Sequence, residues 1–488
     1  MARDPQVAEA TISVHGTIRD AMRAIGRGGL GLALLVDPES ERFAGLVTDG
    51  DLRRALLGGL GLDAALADVR RPEPKTARLG MTPEEISALF TEPVRVVPVL
   101  DDEGRIADVA MFDRRVRLPV AEPLLGEQEL LYVAECVLTG WVSSAGSFIE
   151  RFERAFADFC GTKHAVAVSN GTAALHLALL ALGIGSGDEV IVPTLTFIAT
   201  ANAVSYTGAS PVMVDSEPNT WTIDPDAVGE AISPRTRAIV PVHLYGHPAD
   251  LDPLLEVAAR HGLGVVEDAA EAHGARYKGR PVGGLGDAGI FSFYGNKIVT
   301  TGEGGMVTTN DAAFAERIRL LRAHGMSGER RYWHPVLGYN YRLTNLQAAL
   351  GVAQLERIEE IIRRKRKVAD VYGKGLGNVR GISLPPEAPW AYNVYWLYSV
   401  LVDERETRIG RDAMVEALAR EGLETRPIFP PLHTQPIYET GTDLPVAARI
   451  AATGLSLPSS AALTERSAGH VVDVVRALTE ARAGAAVP

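Results

Sequence analysis

Along this chain, short and almost unbroken apolar stretches alternate with longer ones in which apolar residues return every three or four positions. The first kind predicts buried strands, the second amphipathic helices laid over them. Between residues 125 and 375 the apolar runs at 165–168, 189–192, 211–214, 238–242, 264–266 and 289–292 are separated by helical stretches. That alternation predicts an α/β domain on a large, mostly parallel sheet. A long helix over 345–371 then gives way to NVYWLYSVLV, a helix near 411–421 and a closing helix, so residues 376–488 read as a smaller α+β domain.

Residues 1–116 repeat themselves. Thr17 with Asp20, and Thr82 with Pro83 and Glu85, have the spacing of helix N-caps with an acidic residue three positions on. Each leads an amphipathic helix, an apolar strand (32–36 and 96–100), an acidic turn, a second strand and an Asp-Arg-rich segment beginning at Asp51 or Asp113. This arrangement resembles a pair of CBS domains. The resemblance implies that Thr48 and Asp51 hold the ribose of an adenine nucleotide. Aligning Asp113 with Asp51 puts Ala110 where Thr48 stands, so one of the two pockets loses its hydroxyl. The stretch RLPVAEPLL, with Pro119 and Pro123, has no period and predicts a linker over 117–124.

The 488 residues carry 49 basic and 61 acidic side chains, a net charge of −12 that disfavours nucleic acid as a partner. The two cysteines, Cys136 and Cys160, form no disulfide or zinc pattern, and the histidines lack ligand spacing, so no metal is expected. With no leader-like start and no apolar run of about 18 residues, the sequence predicts a cytoplasmic protein without a membrane partner.

In a doubly wound sheet, ligands gather beyond the carboxyl ends of the strands. After 165–168 comes Ser169-Asn-Gly-Thr172, whose small residues either open a helix N-terminus to a phosphate or simply cap the helix. After 189–192, Phe197 either covers a flat ligand or joins the core. After 264–266, Glu267, Asp268 and Glu271 place carboxylates at the end of an apolar strand. They need a structural cation or a pyridinium nitrogen, worth about 4 kcal/mol at about 4 Å. After 289–292 comes Lys297, partly desolvated ahead of TTGEGG and suited to a Schiff base. Each position has an ordinary structural reading, but the order of all four is that of a pyridoxal 5′-phosphate site.

The segments SNGTAALHLAL, EDAAEAHG, SFYGNK, TTGEGGM and GYNYRLTNLQAALG together resemble the DegT/StrS nucleotide-sugar aminotransferases, fold-type I enzymes that depend on pyridoxal phosphate. The resemblance runs from about residue 124 to the end. It implies that Lys297 carries the cofactor and shuttles the proton, and that Asp268 keeps the pyridine nitrogen protonated. By the same resemblance Gly171, Thr172 and Ser292 bind the cofactor phosphate, and Phe197 stacks on the ring. Glu271 stands where the family often has glutamine against the ring hydroxyl. Asn340 would reach the cofactor phosphate of a neighbouring subunit, which implies a homodimer with sites at the interface. His334 and Arg426 are candidates for substrate contact. The implied reaction moves an amino group from L-glutamate to a nucleotide-linked 4-keto-6-deoxyhexose. The likeness of RYWHPVLGYNYRLTN and RPIFPPLH to one branch of that family implies GDP-4-keto-6-deoxy-D-mannose as acceptor, with a UDP- or dTDP-linked sugar as the alternative. A nucleotide-sensing regulator with a silent transferase domain is the competing reading, and intact Lys297 and Asp268 weigh against it.

Overall fold

The computed structural model describes residues 5–71, 73–81, 85–86, 89, 94, 96–111 and 118–483. Two units divide the chain, residues 1–116 and 117–488. In the first, β1 (Thr11–Ser13) runs parallel to β2 (Leu32–Val36), which pairs antiparallel with β3 (Phe43–Thr48). β4 (Ala77–Arg78), β5 (Val96–Leu100) and β6 (Ile106–Met111) repeat that pairing. Thr17 and Asp20 form a reciprocal capping box on helix Ile18–Gly28, and Thr48 and Asp51 form the same box on helix Asp49–Leu57. The cap expected at Thr82 and Pro83, and the segment at Asp113, lie outside the described residues. Strand register corrects one alignment. Thr48 lies opposite Leu32, and the residue opposite Val96 is Met111, not Ala110. A one-residue slip exchanges the two faces of a strand, yet neither residue offers the hydroxyl that Thr48 does.

The second unit is built on a seven-stranded sheet. Its strands are β7 (His164–Val168), β8 (Glu189–Pro193), β9 (Ser210–Val214), β10 (Thr236–Ile239) and β11 (Gly264–Asp268). After a short hairpin, β12 (Arg276–Tyr277) and β13 (Arg280–Pro281), come β14 (Ala288–Ser292) and β15 (Gly305–Thr309). The order is β7-β15-β14-β11-β10-β8-β9, and β15 alone runs antiparallel to its neighbours. Helices cover both faces, so β7, β8 and β14 are buried on both sides and read as unbroken apolar runs, whereas the edge strand β9 is partly exposed. Helix Gly171–Ala181 is itself almost wholly buried, which is why GTAALHLALLA shows no polar stripe.

Two features depart from expectation. β15 was not among the predicted strands: it holds few apolar residues, and Thr308 and Thr309 are buried because their hydroxyls donate to the carbonyls of Gly289 (3.2 Å) and Asp287 (2.8 Å). The helix predicted over 345–371 is two helices, Asn345–Glu356 and Ile358–Leu376, broken at Arg357 (φ −113°, ψ 7°). The first is buried nearly all round and the second is amphipathic. Its Ile361 and Ile362 pack in the core of the large sheet, whereas Val368, Tyr372 and Leu376 pack in that of the small domain.

That small domain carries β16 (Ile382–Ser383), β18 (Tyr398–Val402), β19 (Arg426–Pro427) and β20 (Gly454–Leu457) in the order β16-β18-β20-β19, while β17 (Ala391–Tyr392) pairs with β12. The stretch expected to be a linker is partly strapped down. Leu118 bridges Leu423, the Glu424 N–H donates to the Leu118 carbonyl (3.0 Å), and fully buried Val120 accepts from the Ser459 N–H (2.9 Å).

Candidate active site

Because β7, β8, β10, β11 and β14 run the same way, the residues that follow them converge on one edge of the sheet. A cavity of 450 Å³ opens there. Gly171, Thr172, Phe197, Asp268, Glu271, Ser292, Lys297 and Arg426 all line it. Gly171 starts its helix under an Asn170 cap that accepts from the Ala173 N–H (2.8 Å), and a Cβ at 171 would stand 2.8 Å from the Ser292 Cβ. Only glycine permits that approach of strand and helix end. Phe197 is 55% exposed and faces Phe429 at 5.7 Å between centroids, so it lies at the mouth and not in the core.

The adjacent carboxylates of β11 have opposite fates, as alternation along a strand requires. Glu267 points away from the cavity and is saturated. It accepts from the N–H groups of Gly283 (2.8 Å), Leu285 (2.6 Å) and Gly286 (2.9 Å), and from His243 Nε2 (3.2 Å), whose Nδ1 accepts from the Ala249 N–H. Burial opposes its charge, but these donors hold the Glu267 carboxyl below its usual range. Asp268 faces the cavity, buried, and among the described residues accepts from the Thr200 hydroxyl (2.9 Å) and the Ala270 N–H (3.2 Å). Burial raises its carboxyl above the usual range. Among the described residues no arginine or lysine pairs with it, so a buried acceptor is left facing space that suits a cationic ring nitrogen.

Lys297 enters from the loop after β14. Its Nζ lies 3.7 Å from Glu271 Oε1 and 3.7 Å from the centroid of the Trp396 ring. Burial lowers the ammonium pKa, with Glu271 and Asp268 opposing. Burial also pushes the Glu271 carboxyl up to about 7, against the pull of Lys297 and of the Tyr245 N–H that donates to Oε2 (2.8 Å). The C-terminal segment closes the cavity. His433 Nδ1 and the Thr194 hydroxyl share a hydrogen bond (2.7 Å), and the Leu432 N–H donates to the Thr194 carbonyl (2.8 Å). These bonds pin RPIFPPLH to the end of β8 and carry Arg426 and Phe429 to the cavity wall.

Other candidates lie elsewhere. Asn340 and His334 are exposed and do not line this cavity: Asn340 Oδ1 accepts from Arg342, and His334 Nδ1 bonds the His324 carbonyl (2.9 Å). Thr48 and Asp51 sit in the first unit, where Asp51 Oδ2 accepts from both the N–H and hydroxyl of Thr48 and Oδ1 from Arg54. Thr200, Tyr245, Asn296, Trp396 and Phe429 also line the cavity without having been singled out from the sequence. Asn296 carried a signal in its place beside Lys297; the others come together only in three dimensions. Among the described residues no cluster of His, Cys, Asp and Glu could hold a metal, and no helix is long and apolar enough to cross a membrane.

Residues 123–476 match the DegT/DnrJ/EryC1/StrS aminotransferase family, and residues 1–58 match the CBS domain. The GDP-perosamine synthase of Caulobacter vibrioides is 51% identical over 359 residues, which cover 73% of this chain and 96% of that protein. The GDP-perosamine synthase of Escherichia coli O157:H7 is 45% identical, over 73% and 97% respectively. Among solved structures, the PLP form of the sugar aminotransferase Spr1654 from Streptococcus pneumoniae superimposes with a TM-score of 0.71 at 28% identity, covering 74% of this chain and 98% of that one.

Proposed function

Because the chain belongs to the DegT/DnrJ/EryC1/StrS aminotransferase family, we propose that it transfers the amino group of L-glutamate to the 4-keto carbon of GDP-4-keto-6-deoxy-D-mannose, giving GDP-perosamine. The observation that carries amino transfer is the single cavity across which Lys297 and the unpaired, buried Asp268 face each other. Likeness to the two GDP-perosamine synthases narrows the acceptor.

The cavity fits pyridoxal 5′-phosphate. Gly171, Thr172 and Ser292 would hold its phosphate at a glycine-opened helix end, Phe197 would cover its ring, Asp268 would face the ring nitrogen and Glu271 the ring hydroxyl. When bound, this cofactor supplies a carbonyl carbon to which amines add and a protonated ring that takes up the electron pair of a broken C–H bond. Asp268 keeps the nitrogen protonated by offering a charge already paid for in desolvation. Lys297 carries the proton between carbon atoms of the substrate and cofactor, and its lowered pKa lets the neutral amine act as the base. Arg426, with a side chain 45% exposed and, among the described residues, a long 3.4 Å contact to Glu424, is placed to meet the glutamate carboxylate or the sugar-linked phosphate.

The competent form on this reading is a homodimer in which Asn340 serves the neighbouring site. Large apolar side chains left exposed on and after helix Glu127–Thr139 (Leu130, Leu131, Val137, Leu138 and Trp141) support a partner surface. With glutamate as donor, mass spectrometry of products from GDP-, UDP- and dTDP-linked 4-keto-6-deoxy sugars should show the GDP-linked amino sugar formed at least about tenfold faster than the others. Equal rates, or preference for another nucleotide, would reject the acceptor while leaving the transfer chemistry.

The N-terminal unit is read as a site for an adenine nucleotide at Thr48 and Asp51. Titration calorimetry of the full chain with AMP and ATP should give binding heat that Thr48→Ala abolishes and Thr17→Ala keeps. Both variants lose the same kind of helix cap, so the comparison separates ligand contact from cap loss. Absence of heat in the unaltered protein would leave the unit without this role.

A further inference from the structure

Trp396 enters the cavity between β17 and β18 and is only 4% exposed. Its Nε1–H donates to the backbone carbonyl of Asn296 (2.8 Å), which anchors the indole one residue from Lys297. The Lys297 Nζ, 3.7 Å from the ring centroid, is well within the range of about 6 Å in which a cation is drawn to an aromatic face. Glu271 Oε1 stands at the same 3.7 Å from the amine.

Both partners are themselves held. Tyr245 adopts a left-handed backbone (φ 53°), which L residues rarely take and which persists only where the surroundings impose it. That conformation accompanies an N–H donated to Glu271 Oε2 and a ring stacked on Trp396 at 6.1 Å and 25°. The Tyr245 hydroxyl is tied in turn to the Phe429 N–H (3.1 Å). An indole face and a carboxylate are thus fixed about one amine.

We infer that Trp396 and Glu271 form a seat for the free amine of Lys297, Trp396 holding the ammonium on its π face and Glu271 exchanging its proton. The proton leaves nitrogen as the N–H bond breaks and an O–H bond forms on Glu271, so two buried charges become two neutral groups. The seat is present in the chain alone; its use in catalysis rests on the amino-transfer reading, in which the lysine is freed during each half of the reaction. A four-carbon stem released into a 450 Å³ cavity would otherwise sample many rotamers. Burial brings the two groups toward a common range, raising Glu271 and lowering Lys297. Other titratable groups around them are Asp268, Tyr245 and His273, the last kept neutral by burial with its pKa at about 3.

The test uses the cofactor-free protein. Acetylation of Lys297, followed by peptide mass spectrometry across a pH series, gives the midpoint at which its amine becomes reactive. The midpoint should fall by about one pH unit in Trp396→Leu and by less in Trp396→Phe, because loss of the ring removes stabilisation of the ammonium. Glu271→Gln should also lower it, since a neutral amide no longer favours the charged form. If either Trp396→Leu or Glu271→Gln leaves the midpoint unchanged, the seat is wrong. Should Trp396→Leu fail to fold, the isosteric Glu271→Gln and the aromatic-retaining Trp396→Phe, with its smaller shift, decide the matter. Cofactor uptake and product formation are read separately. Shifts without uptake would overturn amino transfer and keep the seat, whereas turnover without shifts would overturn the seat alone.

Discussion

Replacing Lys297 by alanine should lower amino transfer by at least about 10³-fold, with the purified variant still folded. On the proposed reading two contributions would vanish together: the covalent anchor for the cofactor and the base that carries the proton. Lys297 reaches the cavity on a short loop after β14, with Glu271 and Trp396 each 3.7 Å from its Nζ, and these are the contacts the alanine would empty. Its side chain is only 11% exposed but borders the 450 Å³ cavity, so truncation enlarges an existing space, and a melting curve of the variant recorded beside its activity separates lost chemistry from lost stability. Two measurements check it: product formation from glutamate and the keto sugar, and the visible absorbance of lysine-linked pyridoxal phosphate, which should be absent. Activity within tenfold of the unaltered protein would mean that another residue does this work.

Asp268→Asn should cost about 10²- to 10³-fold in kcat. The substitution keeps shape and volume, and the Thr200 hydroxyl can turn to suit an amide, so folding should survive. What is lost is a charge at a buried position, where an opposite charge at about 4 Å is worth about 4 kcal/mol. The sign follows from the buried carboxyl. Without a cation, burial raises its pKa; a protonated ring nitrogen would bring it down and hold both groups charged. The amide cannot hold that proton, so the spectrum of the bound cofactor should change along with the rate. A variant with unchanged kcat and spectrum would show that Asp268 serves the fold and not the ring.

Legibility from sequence followed burial. β7, β8, β11 and β14 stood out because a parallel sheet covered on both faces selects unbroken apolar runs. β15 did not, because Thr308 and Thr309 are buried through hydroxyl bonds to carbonyls at the start of the neighbouring β14, a solution that no period along the chain records. The break at Arg357 was hidden for a related reason: both flanking segments read as helix, and no residue between them is a helix breaker by type.

For the site, residues just past the strand ends could be listed in advance, since the sheet edge delivers them together. The neighbours Glu267 and Asp268 could not be told apart, because only the N–H groups of residues 283–286 show which carboxylate is consumed by structure. Trp396, Tyr245 and Phe429 were invisible for another reason: they meet Lys297 or one another from segments far apart in the chain, and NVYWLYSVLV reads as nothing more than a strand. Thr48 and Asp51 show the converse, a spacing that a helix cap satisfies completely within its own four residues.

The strap at the start of the second unit also has a mechanical meaning. Leu118 is stitched to Leu423 and Glu424, and Glu424 is two positions from Arg426 at the cavity mouth. A shortened protein that begins at residue 125 would therefore unpick an edge beside the catalytic chamber, whereas one that begins at 118 would keep it.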